Sequence, residues 1–438
     1  MFYIIERQDQ LDQLHLGEEV FVHVIPTNEN YHPILQNISL IYVRWIKGHK
    51  GYILCVNHTE SFSLEINAII NKLSKADKIY VLDKKAFLHH FSSIDHQRIY
   101  DVSVYNNLNH IQNIDIQQYE TPVESDFKRK YYDGLPSTLI PVSKHYEKWE
   151  NVYDHIESLL SMITDNESYN MINNLATLLF YHIERNGIKL DKNSFLTYFS
   201  HLQYPKFSIA KGKIYTQYNL NTLTCRPSNA FNTVNFAALN KTNGERSTFV
   251  AENDRLIEID FSAYHPSIIA KLVNYTYSNQ SSFYEQLLEH FPMSNINTIK
   301  ESVFQQLYGG IRKEFQDQPF FKQVYEYSVN NWNKFIKGDK VAVNHLGKQF
   351  HQGIIDNPTP QKLLNYLVQN SETLLNVIQF SQIDALLQDK KTKIVLYTYD
   401  SILIDYCNEE NLLDTIKSNL VFNFSVKHGK NYNELEKM

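Results

Sequence analysis

Apolar positions change from a period of two to a period near 3.6 along the chain, and this change predicts where strands and helices lie. In the first 118 residues, four runs rich in β-branched and aromatic residues have the strand pattern: 19–25, 38–46, 51–58 and 78–83. Segments 61–76 and 84–91 have the helical pattern instead. The sequence therefore predicts an α/β arrangement at the start of the chain.

A polar stretch with three prolines, residues 117–143, predicts a domain boundary, and helical segments dominate after it. The β pattern returns as a hairpin at 207–218, a strand at 255–262 and a second hairpin at 393–406. The predicted helices are 144–163, 168–187, one that begins at Pro266, most of 281–335, and 360–388. This part of the chain is therefore predicted to mix both kinds of element.

Composition narrows the function classes. The 438 residues are 43% hydrophobic and 21% charged, with a formal net charge of -6, so any nucleic-acid site must be a local basic channel. The three cysteines have no metal-ligand spacing, which predicts a reducing compartment without disulfides. The start of the chain lacks a signal-peptide pattern, and no uncharged apolar run reaches transmembrane length. We therefore expect a cytoplasmic protein without a membrane partner.

Two aspartates follow apolar strands. Asp260 ends the run LIEID, and Asp400 follows the run KIVLYTY. Either one alone is best explained as a solvent-facing turn residue. Together, on adjacent strand ends, their carboxylates would hold a pair of hard cations about 3.5–4 Å apart, the arrangement used for in-line phosphoryl transfer.

A helix face offers further chemistry. In the segment IKESVFQQLYGG, the residues Lys300, Phe304 and Tyr308 recur every four positions and therefore share one face. Such a face could grip a triphosphate and stack a base. The alternative is an amphipathic helix with core aromatics and a solvated lysine, and periodicity alone favours this alternative.

Three segments resemble, in order, motifs A, B and C of the DNA polymerase I family, family A: LIEIDFSAYHPSII, KESVFQQLYGG and LYTYDSI. The flanking segments FYHIERNGIKLD, GKIYTQYNLNTLTCRPSN and NYLVQN are also similar to family signatures. Motif A alone also resembles family B, but the spacing from Lys300 to Tyr308 and the IERNG element favour family A. The resemblance covers about residues 176–406, and the small size of the chain suggests a reduced, phage-type form.

The resemblance implies an α+β and α/β multidomain fold. An RNase H-like N-terminal domain would precede a right-hand polymerase with palm, fingers and a minimal thumb. The implied boundaries are 1–145 for a degenerate exonuclease-like domain, 146–205 for a helical connector and vestigial thumb, 206–265 with 365–438 for the palm, and 266–364 for the fingers.

The resemblance also implies a role for each matched residue. Asp260, Asp400 and the backbone of Phe261 would hold two Mg²⁺ ions, with Mn²⁺ as an alternative, and Lys300 would act with the aspartates in catalysis. The residues implied to bind the incoming dNTP are Phe261, Ser262, Ala263, His265, Lys300, Phe304 and Tyr308. Those implied to contact primer–template DNA are Arg226, Tyr308, Gly309, Asn365, Gln369 and Tyr399.

The chain departs from the family pattern at three positions of the site. His265 stands where the family has a glutamate that excludes ribose 2′-hydroxyls, so sugar selection is open, with His265 or Tyr264 as a steric gate. Ile296 replaces an arginine of motif B, and Ser401 replaces the second acid of motif C. We therefore expect Asp400 to bear the site with little help.

Two larger departures concern whole domains. In place of the family's long helical thumb the chain has only residues 192–211, which predicts few phosphate contacts, low processivity and a processivity or replisome partner protein. The first nuclease motif, Asp-x-Glu in the family, aligns with His23, Val24 and Ile25, and Ala86 lies near the expected second aspartate. A two-metal nuclease needs these acids, so the N-terminal domain is expected to lack proofreading activity.

These features together predict a template-directed DNA polymerase, a nucleotidyltransferase that extends a primer 3′-hydroxyl with dNTPs, in a bacterial host cytoplasm if a phage encodes it. One alternative is a catalytically inactive nucleic-acid-binding replication subunit, and another is a polymerase adapted to RNA or primer synthesis. The enzyme is favoured over the inactive subunit because the nuclease acids are missing while the polymerase set is kept: Asp260, Lys300, Tyr308, Gly309 and Asp400.

Overall fold

The computed structural model describes residues 3–130, 137–163, 166–200, 202, 207–230, 234–278, 283–287 and 295–438. It divides the chain into two units. The first comprises Met1–Arg185, His201–Gln217 and Phe231–Val234, and the second comprises Asn186–Ser200, Tyr218–Ala230 and Asn235–Met438. The finer division into exonuclease-like, connector, palm and fingers segments stays a prediction, and residues 201 and 203–206 of the predicted vestigial thumb lie outside the described residues.

Up to residue 186 the elements follow the predicted order closely, with short additions. The strands are β1 (Tyr3–Ile5), β2 (Glu19–Pro26), β3 (Ile38–Trp45), β4 (Gly51–Cys55), β5 (Lys78–Val81) and β6 (Ile99–Asp101). The helices are α1 (Gln8–Gln13), α2 (Ile66–Leu73), α3 (Lys84–His90), α4 (Val102–Leu108), α5 (Pro122–Lys130), α6 (Val142–Leu160), α7 (Glu167–Asn170) and α8 (Thr177–Asn186). A π-helical segment, Met171–Ala176, joins α7 to α8.

The remaining elements include the predicted hairpins and the long helix. The strands are β7 (Ile188–Leu190), β8 (Ile209–Ala210), β9 (Lys213–Ile214), β10 (Tyr218–Asn219), β11 (Ser228–Asn229), β12 (Phe249–Val250), β13 (Arg255–Phe261), β14 (Lys393–Tyr397), β15 (Ser401–Tyr406), β16 (Phe424–Gly429) and β17 (Glu436–Lys437). The helices are α9 (Lys192–Phe199), α10 (Tyr264–Leu272), α11 (Phe283–Leu287), α12 (Ile296–Gly309), α13 (Pro319–Ile336), α14 (Pro360–Leu386) and α15 (Leu413–Ser418). Strands β8 and β9 belong to the first unit.

The first unit is built on a mixed six-stranded sheet in the order β1-β4-β3-β2-β5-β6. The β2–β3 and β3–β4 pairs are antiparallel, whereas β1–β4, β2–β5 and β5–β6 are parallel. Strands β2 and β3 are buried along most of their length, which explains their nearly continuous apolar runs. Ile69 of α2 and Phe87 of α3 join Val22, Ile41 and Ile79 in one core. The predicted α/β region is therefore confirmed.

The second unit contains a five-stranded antiparallel sheet in the order β14-β15-β13-β16-β17. Its central strand, β13, is the predicted strand at 255–262, and β14 and β15 are the arms of the predicted hairpin at 393–406. Strand β16 had no predicted counterpart. Because β13 is paired on both sides, every residue near its end has a fixed neighbour on each adjacent strand.

The long helix α14 supports this sheet and the helices beside it. The Thr359 side chain caps it by accepting a hydrogen bond from the Lys362 N–H, and Pro360 takes the first position, where a missing N–H costs nothing. Helix α14 contacts α10, α12 and α13. Within the part of the chain that the structure describes, no helix is long and apolar enough to cross a membrane.

A buried ion cluster lies inside the first unit. Lys85 and His89 are four residues apart on α3, so they share a face, and both contact Glu184 of α8. The Lys85 Nζ atom lies 2.5 Å from Glu184 Oε1, and His89 Nε2 lies 3.1 Å from Glu184 Oε2. Burial alone would raise the pKa of Glu184, but Lys85 and His89 outweigh it and lower that pKa to about 2. The cluster therefore keeps a buried carboxylate ionised.

We expect the first unit to lose stability as the pH falls from 7 to 4. Burial lowers the pKa of His32 and of His90 to about 4, and that of His23 well below its ordinary value of 6.5. Between pH 6.5 and 4 these three histidines bind protons in the unfolded chain but not in the folded one, and together they outweigh Asp101, whose pKa burial raises to about 7 and which acts in the opposite direction. For His32 the loss approaches about 3 kcal/mol. Glu184 contributes stability above pH 4.5 that is lost as the pH falls towards 2.

Thermal unfolding followed by circular dichroism at pH 7.5, 6 and 5 measures this effect. His32→Gln should flatten the profile, because it removes one of the groups that titrate only when unfolded. His49→Gln, at an exposed histidine, is the matched control and should leave the slope unchanged. A wild-type midpoint that does not change between pH 7.5 and 5 would contradict the expectation.

Candidate active site

The structure brings Asp260 and Asp400 to the same edge of the second unit's sheet. Asp260 is the penultimate residue of β13, and Asp400 immediately precedes β15. The antiparallel register pairs Asp260 with Ser401, and the Phe261 N–H donates a hydrogen bond of 2.9 Å to the Asp400 carbonyl oxygen. Two acids that are 140 positions apart in the sequence are thereby neighbours.

Asp400 lies in the tight turn that joins β14 to β15. The Thr398 N–H donates to the Ser401 carbonyl at 2.9 Å, and the hydroxyls of the same two residues lie 2.6 Å apart. Tyr399 has a φ of +64°, a left-handed conformation that costs a non-glycine residue about 1 kcal/mol. The Asn376 side chain on α14 donates to the Tyr399 carbonyl at 2.8 Å. Ser401 thus supports the turn, in the place where an acid was expected.

Charge is concentrated at these strand ends. Desolvation by the surrounding protein raises the pKa of Asp400, and repulsion from the Asp260 carboxylate raises it further, although Asp400 is exposed to solvent. On β13, Glu258 is buried and shares a sheet face with Asp260. Lys427 of β16 contacts both, with its Nζ 2.7 Å from Glu258 Oε2 and 3.4 Å from Asp260 Oδ2. The ammonium group of Lys427 therefore already contacts two of the acids at the site.

The residues after β13 turn the chain sharply into α10. Ala263 takes a left-handed conformation with φ +49°, and the Ser262 N–H donates to the Asn423 carbonyl at 2.8 Å. The Phe261 ring is buried and stacks on Tyr264 with 4.4 Å between ring centroids. Ser262 itself is exposed. The predicted nucleotide-binding segment that follows Asp260 therefore has an exposed serine side chain and a sharply turned backbone.

Helix α12 carries the predicted lysine and aromatics on its outer face. Its buried side chains are Ile299, Val303, Gln306 and Leu307. Lys300 is exposed and lies over the Tyr284 ring at 5.6 Å, and Phe304 is 40% exposed. Tyr308 is half-buried and stacks on Phe304, with 5.9 Å between centroids. The alternative with both aromatics in the core is therefore wrong. The helix ends at Gly309, followed by Gly310 with φ +104°.

A buried carboxylate that the sequence reasoning missed organises the neighbouring side chains. Glu372 on α14 has no exposed side-chain surface and pairs with Arg226, its Oε2 lying 2.9 Å from Arg226 Nε. The same oxygen lies 3.2 Å from His265 Nε2, and His265 Nδ1 lies 2.6 Å from the Tyr308 hydroxyl. A carboxylate only accepts, so in a neutral His265 Nε2–H donates to Glu372 and Nδ1 accepts from Tyr308.

The predicted DNA-contacting residues lie along this network. The Arg226 guanidinium lies over the Tyr399 ring, 3.8 Å from its centroid. Thr224 Oγ1 donates to Gln369 Oε1 at 3.1 Å, and Gln369 Nε2 donates to Asn365 Oδ1 at 3.2 Å. Glu372 belongs to a polar face of α14, a signal that could have revealed it, since polar residues recur there every three or four positions: Asn365, Gln369, Glu372 and Asn376.

The expected nuclease positions line a cavity in the first unit. Its volume is about 360 Å³, and its lining includes His23, Val24 and Ala86. The His23 ring stacks on Trp149 at 3.4 Å between centroids. The cavity also contains Asp83, whose Oδ1 accepts a hydrogen bond from the Ala86 N–H at 3.0 Å and so caps α3. Imidazole and aliphatic groups thus occupy the positions where metal-binding acids were expected.

One further group in the first unit has the geometry of a metal site. Single ligand atoms of His32, His89 and Glu184 lie within 4.8 Å of one another. However, Lys85 already neutralises Glu184, and both ring nitrogens of His32 meet backbone groups, the Thr216 carbonyl at 2.9 Å and the Ile34 N–H at 3.2 Å. These contacts account for the cluster without an ion, and we assign it no metal.

Comparison with known proteins supports the fold. No family profile and no curated protein matches the chain. Among solved structures, the chain is similar to the POL domain of Pol1 from M. smegmatis, solved in complex with a DNA primer-template and a dNTP. The match has a TM-score of 0.68 at 14% sequence identity and covers 97% of each chain. This mixed α/β protein therefore has the fold of a DNA polymerase domain.

Proposed function

We propose that this chain is a template-directed DNA polymerase that extends a primer 3′-hydroxyl with dNTPs. The observation that carries the proposal is the pair of carboxylates, Asp260 and Asp400, joined through the Phe261 N–H···Asp400 hydrogen bond on a sheet edge. The related POL domain binds a DNA primer-template and a dNTP in its own structure. We infer the same classes of ligand for this chain.

The donor atoms at this edge fit hard divalent cations. Carboxylate oxygens are the ligands that such ions prefer. Desolvation by the surrounding protein, followed by repulsion from Asp260, raises the pKa of Asp400, and a cation would relieve that repulsion. We assign Mg²⁺ to Asp260, Asp400 and the backbone of Phe261, with Mn²⁺ as an alternative. When bound, two such ions supply the charge that activates a hydroxyl nucleophile and stabilises the leaving phosphates.

The protein's own side chains would position the substrates. Lys300 and Phe304 present an exposed cation and ring on one face of α12, which suits a triphosphate and a base. Ser262 and the left-handed turn at Ala263 give backbone groups access to the phosphates. On the DNA side, Arg226, Asn365, Gln369, Tyr399 and Gly309 are the proposed contacts. Minor-groove acceptors are alike in A·T and T·A pairs, so such contacts test pair shape more than sequence.

The first alternative is an inactive nucleic-acid-binding subunit that keeps the fold. The Tyr399 turn argues for the enzyme, because it holds a non-glycine residue in a left-handed conformation and presents Asp400 next to Asp260. Strain of this kind persists where surrounding contacts enforce it, and Asn376 and Ser401 supply such contacts here. Left-handed residues also occur in ordinary hairpin turns, so what favours the enzyme is that this turn presents Asp400 next to Asp260.

Asp400→Ala should lower primer extension by about a thousandfold or more, because charge stabilisation of this kind is worth several kcal/mol. The measurement is extension of a labelled primer–template with dNTPs and Mg²⁺. Asp414→Ala is the matched control, since the Asp414 side chain on α15 is 99% exposed. Equal extension by wild type and Asp400→Ala would contradict the proposal, and extension by neither, even with candidate partner proteins added, would favour the inactive subunit.

We further propose that the first unit is a degenerate RNase H-like exonuclease domain, inactive in proofreading. The supporting observation is the cavity whose expected acid positions are His23, Val24 and Ala86. Lanes of the same assay without dNTPs test this. The primer should keep its length, and Mg²⁺-dependent shortening by Asp400→Ala as well as wild type would overturn the inactive-nuclease proposal.

Sugar selection is the second property that the site suggests. We propose that His265 and Tyr308 form the gate at the sugar and that Glu372 holds it closed. The Tyr308 hydroxyl, His265 and Glu372 are linked by contacts of 2.6 and 3.2 Å, and Glu372 is in turn fixed by Arg226. Because Glu372 holds His265 and Tyr308 in place, we expect these two side chains to exclude a ribose 2′-hydroxyl. The site would then select dNTPs, which disfavours the alternative of RNA or primer synthesis.

Glu372→Gln should reduce the preference for a dNTP over the matching rNTP by about tenfold, since a hydrogen bond to a charged group contributes about 1.5–3 kcal/mol. The ratio of kcat/KM values for dCTP and CTP opposite a template guanine measures this preference. Glu301→Gln, an exposed glutamate on α12, serves as the matched control. The gate hypothesis fails if Glu372→Gln and His265→Ala both keep the wild-type ratio.

The predicted short thumb leads to a proposal about processivity. Helix α9, with eight residues, is the described helix of the predicted thumb replacement, residues 192–211. Few phosphate contacts weaken the grip on a duplex. We therefore propose a reduced, phage-type family A polymerase that relies on a partner protein to stay on DNA, with the palm and fingers boundaries predicted above.

In the presence of a competitor-DNA trap, the isolated chain should extend a primer by only a few nucleotides before it dissociates. The measurement is the length distribution of single-encounter products on a long template. Lowering the salt concentration should lengthen the products, because phosphate contacts strengthen as salt falls. Long products from the isolated chain in the presence of the trap would rule out a required partner.

A further inference from the structure

Lys427 contacts Asp260, one of the two aspartates of the proposed metal site. Its register partner across the β13–β16 ladder is Glu258, and Asp260 is two residues further along the same face of β13. The lysine therefore reaches a directly opposite carboxylate and a diagonal one. The two contacts differ in length, 2.7 Å to Glu258 and 3.4 Å to Asp260.

The two carboxylates also differ in exposure. The Glu258 side chain is 9% exposed, so its charge needs a permanent partner, and an unpaired buried carboxylate would be costly. The Asp260 side chain is 32% exposed and opens towards solvent. The short contact to Glu258 therefore anchors Lys427, whereas the longer contact to Asp260 is the one that can be released.

We propose that Lys427 is a positioning residue that occupies Asp260 Oδ2 until a divalent cation binds there, and that Glu258 holds the ammonium group when the cation displaces it. This inference rests on the proposed function, because it assumes a cation at Asp260 and Asp400. Lys427 then has two effects. It limits the repulsion among the acids at the sheet edge, and it weakens cation binding by competing for one carboxylate.

The contact between Lys427 and Glu258 predicts that variants of these two residues change the cation affinity in opposite directions. Lys427→Gln frees Asp260 and should tighten cation binding about tenfold, the scale expected for one unit charge a few ångströms from a divalent ion in water. Glu258→Gln removes the anchor, leaves Lys427 on Asp260, and should weaken binding by a similar factor. The double variant Lys427→Gln with Glu258→Gln should still bind more tightly than wild type, because Asp260 is free while the net charge is unchanged.

Mn²⁺ binding to the 438-residue chain without DNA tests these effects, with electron paramagnetic resonance of the free ion as the readout. The Mn²⁺ binding that is lost in Asp400→Ala is assigned to the proposed metal site. Lys437→Gln is the matched control, because Lys437 is exposed, is the register partner of Lys427 on β17, and carries the same charge. It should leave the Mn²⁺ affinity unchanged. Circular dichroism melts establish that each variant is folded.

The outcomes separate the two hypotheses. If Asp400→Ala does not reduce Mn²⁺ binding, the proposed metal site fails, and the role of Lys427 fails with it. If Asp400→Ala removes the binding but Lys427→Gln binds Mn²⁺ like Lys437→Gln, only the role of Lys427 is refuted. A double variant that returns to wild-type affinity would also refute it, since summed charge alone would then account for the single variants. Tighter binding by Lys427→Gln and by the double variant supports the inference even if the Glu258→Gln variant does not fold.

Discussion

The antiparallel pairing of β13 with β15 is the constraint on which the candidate site depends. It sets Asp260 opposite Ser401, and the Phe261 N–H···Asp400 bond closes the ladder at the acids. Side chains alternate between the faces of a strand, so a slip of one residue would move Asp260 to the other face of the sheet. Pairing with β16 on the opposite side fixes the same register a second time and brings in Lys427.

Concentrating acids at one sheet edge creates an electrostatic problem, which the second unit meets with fixed partners. Glu258 pairs with Lys427, and Glu372 pairs with Arg226 and His265. Asp260 and Asp400 remain the more exposed acids, and desolvation, followed by repulsion from Asp260, raises the pKa of Asp400. The structural acids are thus compensated within the protein, while the pair proposed for catalysis keeps a charge that a cation or substrate can meet.

Much of the fold could be predicted from the sequence, because local patterns determine it. Runs rich in β-branched and aromatic residues located β2, β3 and β13, and the helical period located α14 to within two residues at its end. The four-residue spacing of Lys300, Phe304 and Tyr308 placed them on one helix face. The pattern could not reveal whether that face was buried, because burial depends on what packs against the helix and not on its own period.

The sequence by itself determined that two acids end apolar strands and that a lysine and two aromatics share a helix face, because strand and helix periods are local properties of the chain. Only the tertiary structure decided which charges meet. Glu372 lies more than a hundred residues from His265, and Lys427 is similarly distant from Glu258. Their encounters depend on strand register and on the packing of α14 against α10 and α12. These contacts join segments far apart in the chain, and no local pattern encodes them.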